Sequence, residues 1–232
     1  MHDDESFDFS AASHEIYSTY LDTIKQLLIT VEVATGQFPV SILNEIRAIF
    51  THLARANRDQ FTNIESAEDN CIKAYRHVKR AILDCYKILC IEYDAQSCSF
   101  DEEYEEVNLG LVDNGSFYPR YLGLQQEARD AFIRAKSLES EGIAEEDEIF
   151  DSYKRAYAKY DDLHDYIVDE ENLKKLSFAK QMTDRNAELT RQIASQMEKN
   201  KKSSRFNTVL GITSIVLALV SIIEAFVIGS IA

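Results

Sequence analysis

Two basic side chains five residues apart are the strongest candidates for chemistry in this sequence. Arg47 and His52 lie in the stretch NEIRAIFTHLARA, with the spacing R-x4-H. Histidine takes up and releases a proton near neutral pH, and arginine stabilises negative charge that develops on phosphoryl oxygens. The pair therefore suits metal-independent RNA cleavage, in which a proton leaves the 2′-OH and another reaches the leaving oxygen.

The spacing also favours a structural alternative for the same pair. Five helical steps turn by about 140°, so Arg47 and His52 do not share one helix face, and one subunit alone is a poor setting for them. In the alternative, Arg47 pairs with Glu45 or another acid, and His52 forms a hydrogen bond inside a helical bundle. The residues alone leave both interpretations open.

A second group of basic residues follows in the next predicted helix. Arg76, His77, Lys79 and Arg80 are candidates for RNA binding, and a solvated basic stripe is the alternative. The chain has 25 Lys and Arg against 40 Asp and Glu, a formal charge of −15, which disfavours a general electrostatic grip on nucleic acid. Any RNA site must therefore be local to this basic region.

Other kinds of chemistry lack their usual sequence signals. The chain contains no Gly-rich phosphate loop, no H-E-x-x-H and no nucleophile elbow, and no cluster of metal ligands stands out. Its four cysteines show no C-x-x-C spacing and are expected to be buried, reduced thiols: Cys71, Cys85, Cys90 and Cys98. We therefore predict neither a metal nor a cofactor.

The elements that would position these residues are predicted to be helices. Only 7 Gly and 2 Pro occur, too few for the turns of an all-β fold, and apolar residues recur at three- and four-residue spacing. We predict an all-α protein with a helical bundle in residues 1–142 and a helix over 143–205 that closes the bundle or oligomerises. Residues 96–116 are acidic and rich in turn residues, which predicts an insertion that is either a lid or a connector.

The stretch NEIRAIFTHLARA and the helical pattern resemble the HEPN superfamily over about Ser13 to Leu138. The RNase members of that superfamily are helical bundles in which an Arg precedes a His by four to six residues. The resemblance implies a HEPN-like bundle, a metal-independent endoribonuclease reaction at Arg47 and His52, and a dimer in which two motifs meet. The family also includes membrane-associated accessory proteins of RNA-targeting type VI CRISPR systems, which implies a defence role and an RNA-guided effector protein as a partner.

The end of the sequence is strongly apolar. Residues 208–232 contain one charged side chain, and at about 1.5 Å per residue a helix of that length would cross a bilayer. We predict a transmembrane helix at 206–232. The positive residues before it (Lys199, Lys201, Lys202 and Arg205) predict a single-pass protein of the cell membrane with its body in the cytoplasm.

Glu224 interrupts this apolar segment and supports alternatives to an RNA function. A carboxylate in lipid is costly, so Glu224 marks an oligomeric seam or a pore, or else it already lies at the far membrane interface. The alternative functions are a non-catalytic pore or membrane-perturbing oligomer, and a tail-anchored scaffold. The predicted partners are thus the lipid bilayer, further copies of the chain, and RNA or an RNA-guided effector protein.

Overall fold

The computed structural model describes the backbone of residues 7–142 and 144–229, and the side chains of 7–142 and 144–202. Within this part of the chain it has seven α helices and no strand, which confirms the all-α class. The helices are α1 (Phe9–Thr19), α2 (Lys25–Thr35), α3 (Val40–Asp59), α4 (Ile64–Glu103), α5 (Phe117–Glu141), α6 (Glu146–Val168) and α7 (Glu170–Gly229).

Helix α4 is the centre of the bundle. Its first turn is capped by Asn63, whose side chain accepts a hydrogen bond from the backbone N–H of Ser66 at 3.0 Å. Helices α3 and α6 pack against α4, and α5 packs against α6. Small and aliphatic residues on α4 allow this close approach, among them Ala74, Val78 and Leu89, which are buried.

The first helical region contains a π-helical turn. Residues Tyr20–Ile24 form this turn between α1 and α2, which together carry the apolar face predicted from the sequence. Gly36 ends α2 with φ +63°, and its N–H bonds to the carbonyl of Glu32 at 2.9 Å. A glycine suits this left-handed position because it has no Cβ.

The acidic insertion is partly helical. Helix α4 continues to Glu103, and after a short loop a 3-10 turn covers Leu109–Gly115. Leu109 and Val112 bury their side chains, and Lys175 Nζ lies 2.9 Å from Asp113 Oδ1. These anchors make the segment a packed connector.

The segment 143–205 contains two helices. Asp169, with ψ 131°, separates α6 from α7, and its Oδ1 accepts a hydrogen bond from Asn172 N at 2.9 Å. The chain divides into two units, Met1–Leu176 and Ser177–Ala232. The bundle formed by α1 to α6 belongs to the first unit.

The predicted membrane anchor is not supported. Among the residues that the structure describes, no helix combines the length and the apolar character needed to cross a membrane. The prediction of a bundle leading into a transmembrane helix at 206–232 is corrected accordingly, because neither that helix nor the single-pass location in the cell membrane is supported. Spanning needs about 20 consecutive apolar residues. The side chains of residues 206–232, on which this prediction falls, lie outside those that the structure describes. Glu224 lies outside the described side chains.

Candidate acid–base site on helices α3 and α4

His52 lies on the side of α3 that faces α4. Its Nδ1 is 2.9 Å from Oδ1 of Asn70, a buried residue of α4. The Asn70 amide is oriented by its other end, because Nδ2 donates to the carbonyl of Ser66 at 2.8 Å. Since Asn70 Oδ1 can only accept, Nδ1 of His52 carries the proton, and Nε2 of the neutral ring is a proton acceptor.

His77 lies on α4 and is held by a carboxylate of α3. Its Nδ1 is 2.6 Å from Oε2 of Glu45, and both side chains are about one-fifth to one-quarter exposed, at 21% and 24%. A carboxylate on Nδ1 fixes the orientation of an imidazole. Glu45 therefore does not pair with Arg47, which the sequence had offered as an alternative.

The two imidazole rings are stacked on each other. Their centroids are 5.4 Å apart and their planes differ by 17°. No described side-chain polar atom is both buried and without a hydrogen-bond partner. The Nε2 atoms of His52 and His77 have no such partner in the described residues, so they reach solvent. The arrangement offers two adjacent imidazoles with accessible nitrogens, one oriented by an amide and the other by a carboxylate.

Arg47 is on a different face of α3. It is exposed and lines an open depression with Phe50, Thr51, Ala54, Arg55 and Arg58. These residues follow one helix face, whereas His52 faces α4 and lies about 140° further round the axis. Within one chain the structure therefore does not bring Arg47 and His52 together.

The basic residues of α4 are also divided. His77 faces α3, whereas Arg76, Lys79 and Arg80 line a depression on another side of the helix with Glu139 and Glu146. Lys79 Nζ lies 2.5 Å from Oδ1 of Asp147, and this hydrogen bond raises the pKa of the lysine. The predicted group of four is thus divided between two sides of α4, acids of α5 and α6 lie among three of its cations, and RNA binding by these residues stays a prediction.

Sequence reasoning missed Asn70 as a partner of His52 and the pairing of Glu45 with His77. Neither contact has a local signal, since 18 residues separate His52 from Asn70 and 32 separate Glu45 from His77. The available signal was general: polar residues on the apolar face of a helix need partners. Asn70 is such a residue, beside the buried Ala67, Cys71 and Ala74.

No family model matches this sequence, and no curated protein or solved structure is significantly similar to it. The resemblance to the HEPN superfamily therefore stays a prediction based on the residues of α3. The same holds for RNA, an RNA-guided effector protein and further copies of the chain as partners.

Proposed function

We propose that the protein cleaves RNA without a metal ion and that His52 and His77 are the acid–base pair. The observation that carries this proposal is the stacked pair itself, with both Nδ1 atoms held and both Nε2 atoms accessible. One imidazole that accepts a proton and a neighbouring one that donates a proton provide both of the proton transfers that the reaction needs.

The two rings are assigned different roles because their partners differ. His52 has a neutral partner in Asn70, so it acts as the base, and its Nε2 takes the proton of the 2′-OH. The 2′ oxygen attacks phosphorus and the bond to the 5′ oxygen breaks. His77 has the anionic Glu45 as its partner, so it acts as the acid and donates a proton from Nε2 to the departing 5′ oxygen. The products are a 2′,3′-cyclic phosphate and a 5′-hydroxyl.

Arg47 has a modified role in this proposal. Together with Arg55 it forms an exposed cationic face on α3, next to the exposed aromatic ring of Phe50. Such a face contacts phosphates and stacks on unpaired bases, which favours single-stranded RNA as the substrate. The negative excess of the chain lies elsewhere, since residues 44–93 contain eight basic and seven acidic side chains.

The test is cleavage of a single-stranded RNA in the presence of EDTA. We expect His52→Ala and His77→Ala each to lower the rate by about 10²- to 10⁴-fold, the range typical of a lost acid or base. The pH–rate profile of the wild type should be bell-shaped. An RNA with 2′-deoxyribose at the cleaved position should remain intact, because the attacking oxygen is absent.

His14→Ala is the matched control, since His14 is exposed on α1 and distant in the sequence from both imidazoles. It should cleave like the wild type, and circular dichroism should show that all three variants remain helical. Wild-type protein that leaves RNA intact, or cleavage that survives the loss of both His52 and His77, would reject the proposal.

A further inference from the structure

A cavity of about 490 Å³ lies where the end of α4, the connector and the start of α5 meet. It is away from the acid–base site and has the size of a small-molecule pocket. Aromatic and apolar groups form much of its wall: Phe100, Tyr104, Leu109, Tyr118 and Leu122. The buried Leu109 and Val112 anchor the connector, so this wall is part of the folded bundle.

The charged groups at this cavity are all negative. Asp101 and Glu105 line it, and no Lys or Arg is among the described residues that do so. Phe100 and Tyr104 stack with centroids 4.6 Å apart, which places π-electron density beside the two carboxylates. Aromatic faces and carboxylates both attract cations, whereas a neutral apolar ligand would gain nothing from the carboxylates.

Buried polar side chains hold Asp101 in place. Its Oδ1 accepts a hydrogen bond from Tyr121 at 2.7 Å, and its Oδ2 accepts one from Gln125 at 2.8 Å. Tyr121 is fully buried and Gln125 is 6% exposed. Burial, together with the bond to Asp101, raises the pKa of Tyr121, so its hydroxyl stays a donor. The carboxylate is thus fixed at the cavity, with lone pairs left for a ligand.

We infer that this cavity binds a small organic cation whose ammonium group carries methyl groups. The methyl groups contact the rings of Tyr104 and Tyr118, and the positive charge is balanced by Asp101 and Glu105. Such an ion is weakly hydrated, so it loses little on leaving water for an aromatic wall. This inference does not depend on the proposed RNA cleavage.

The probe is choline, titrated by calorimetry in about 0.15 M salt so that distant charges are screened. Its neutral carbon isostere, 3,3-dimethylbutan-1-ol, has nearly the same shape without the charge. We expect the isostere to bind roughly three- to thirty-fold more weakly. Tyr118→Leu, which removes an exposed ring, should weaken choline binding over a similar range, and Tyr118→Phe should restore it.

Glu105→Gln should weaken choline binding by about two- to five-fold, as expected for a partly solvated charge pair. Glu106→Gln is its matched control, because the neighbouring Glu106 is exposed and does not line the cavity. Absence of choline binding, equal affinity for the isostere, or equal effects of the two substitutions would overturn the inference.

Discussion

Asp161 on α6 shows how burial and like charge act together on one carboxyl group. Burial raises its pKa, and the nearby negative charge of Asp165 raises it further. Burial raises the pKa of Tyr93 on α4 to about 12, and the negative charges of Asp161 and Asp165 add to this effect. Tyr157 partly compensates, since its hydroxyl donates to Asp161 Oδ1 at 3.3 Å.

We expect Asp161→Asn to stabilise the protein at pH 7. A carboxyl group with a raised pKa contributes most stability when protonated, below its unfolded pKa of about 3.9, and loses it as pH rises through the folded pKa. Asparagine avoids that loss and still accepts the bond from Tyr157. Thermal unfolding should therefore show a higher Tm at pH 7 and a difference that disappears towards pH 4.

Asp162→Asn is the control for that substitution. Asp162 is exposed, and replacing it with asparagine changes the net charge by the same amount as Asp161→Asn does. It should have a smaller effect on Tm at pH 7. Equal stabilisation by both substitutions would show that net charge, and not the burial of Asp161, is responsible.

The candidate site shows what residue patterns can and cannot predict. The helix period correctly predicts that Arg47 and His52 lie on different faces of α3. The structural alternative for His52, a hydrogen bond inside the bundle, agrees with its contact to Asn70. The stacking on His77 depends on the register of α3 against α4, and no spacing along either helix determines that register.

At the scale of elements, glycines occupy two contrasting positions. Gly36 ends α2 in the left-handed region, with φ +63°. Gly123 lies inside α5, and a Cβ added there would meet no atom within 4 Å. The two sites share open surroundings and differ in backbone conformation.

We expect Gly36→Ala to destabilise the protein by about 1–2 kcal/mol, because an L-residue is strained in the left-handed region. Gly123→Ala should instead stabilise it by about 0.5–1 kcal/mol, because alanine restricts the unfolded chain and favours the helix. Urea unfolding measures both free energies. If both substitutions changed the free energy of unfolding in the same direction, this backbone explanation would be contradicted.

Periodicity predicts the helices well where one apolar face is continuous, as on α3 and the first half of α4. It predicts the ends less well. Helix α4 continues to Glu103, into the segment 96–116 predicted to be an insertion, because Tyr93, Ser97 and Phe100 extend its buried face. The π-helical turn at Tyr20–Ile24 leaves no comparable signal, since one added residue shifts the apolar pattern only slightly.

At the scale of the whole molecule, the buried side chains among those that the structure describes lie before residue 180. Among the side chains that the structure describes, the last buried ones are Asn172, Leu176 and Ala179. From residue 183 to residue 202 the described side chains of α7 are exposed or partly exposed. Composition alone does not reveal this division, because charged and apolar residues alternate along residues 170–202 of α7.

A fragment of residues 1–183 should therefore fold as cooperatively as the full chain. It retains every buried side chain that the structure describes, so we expect its Tm to change by no more than about 2 °C. A fragment of residues 1–168 loses the fully buried Leu176 and the buried Asn172, and its Tm should fall by at least about 4 °C. Circular dichroism melting compares both fragments with the full chain.

Because the acid–base site and the cavity lie within residues 1–183, RNA cleavage and choline binding should be unchanged in the longer fragment. A longer fragment that melts without cooperativity would show that later residues stabilise the bundle.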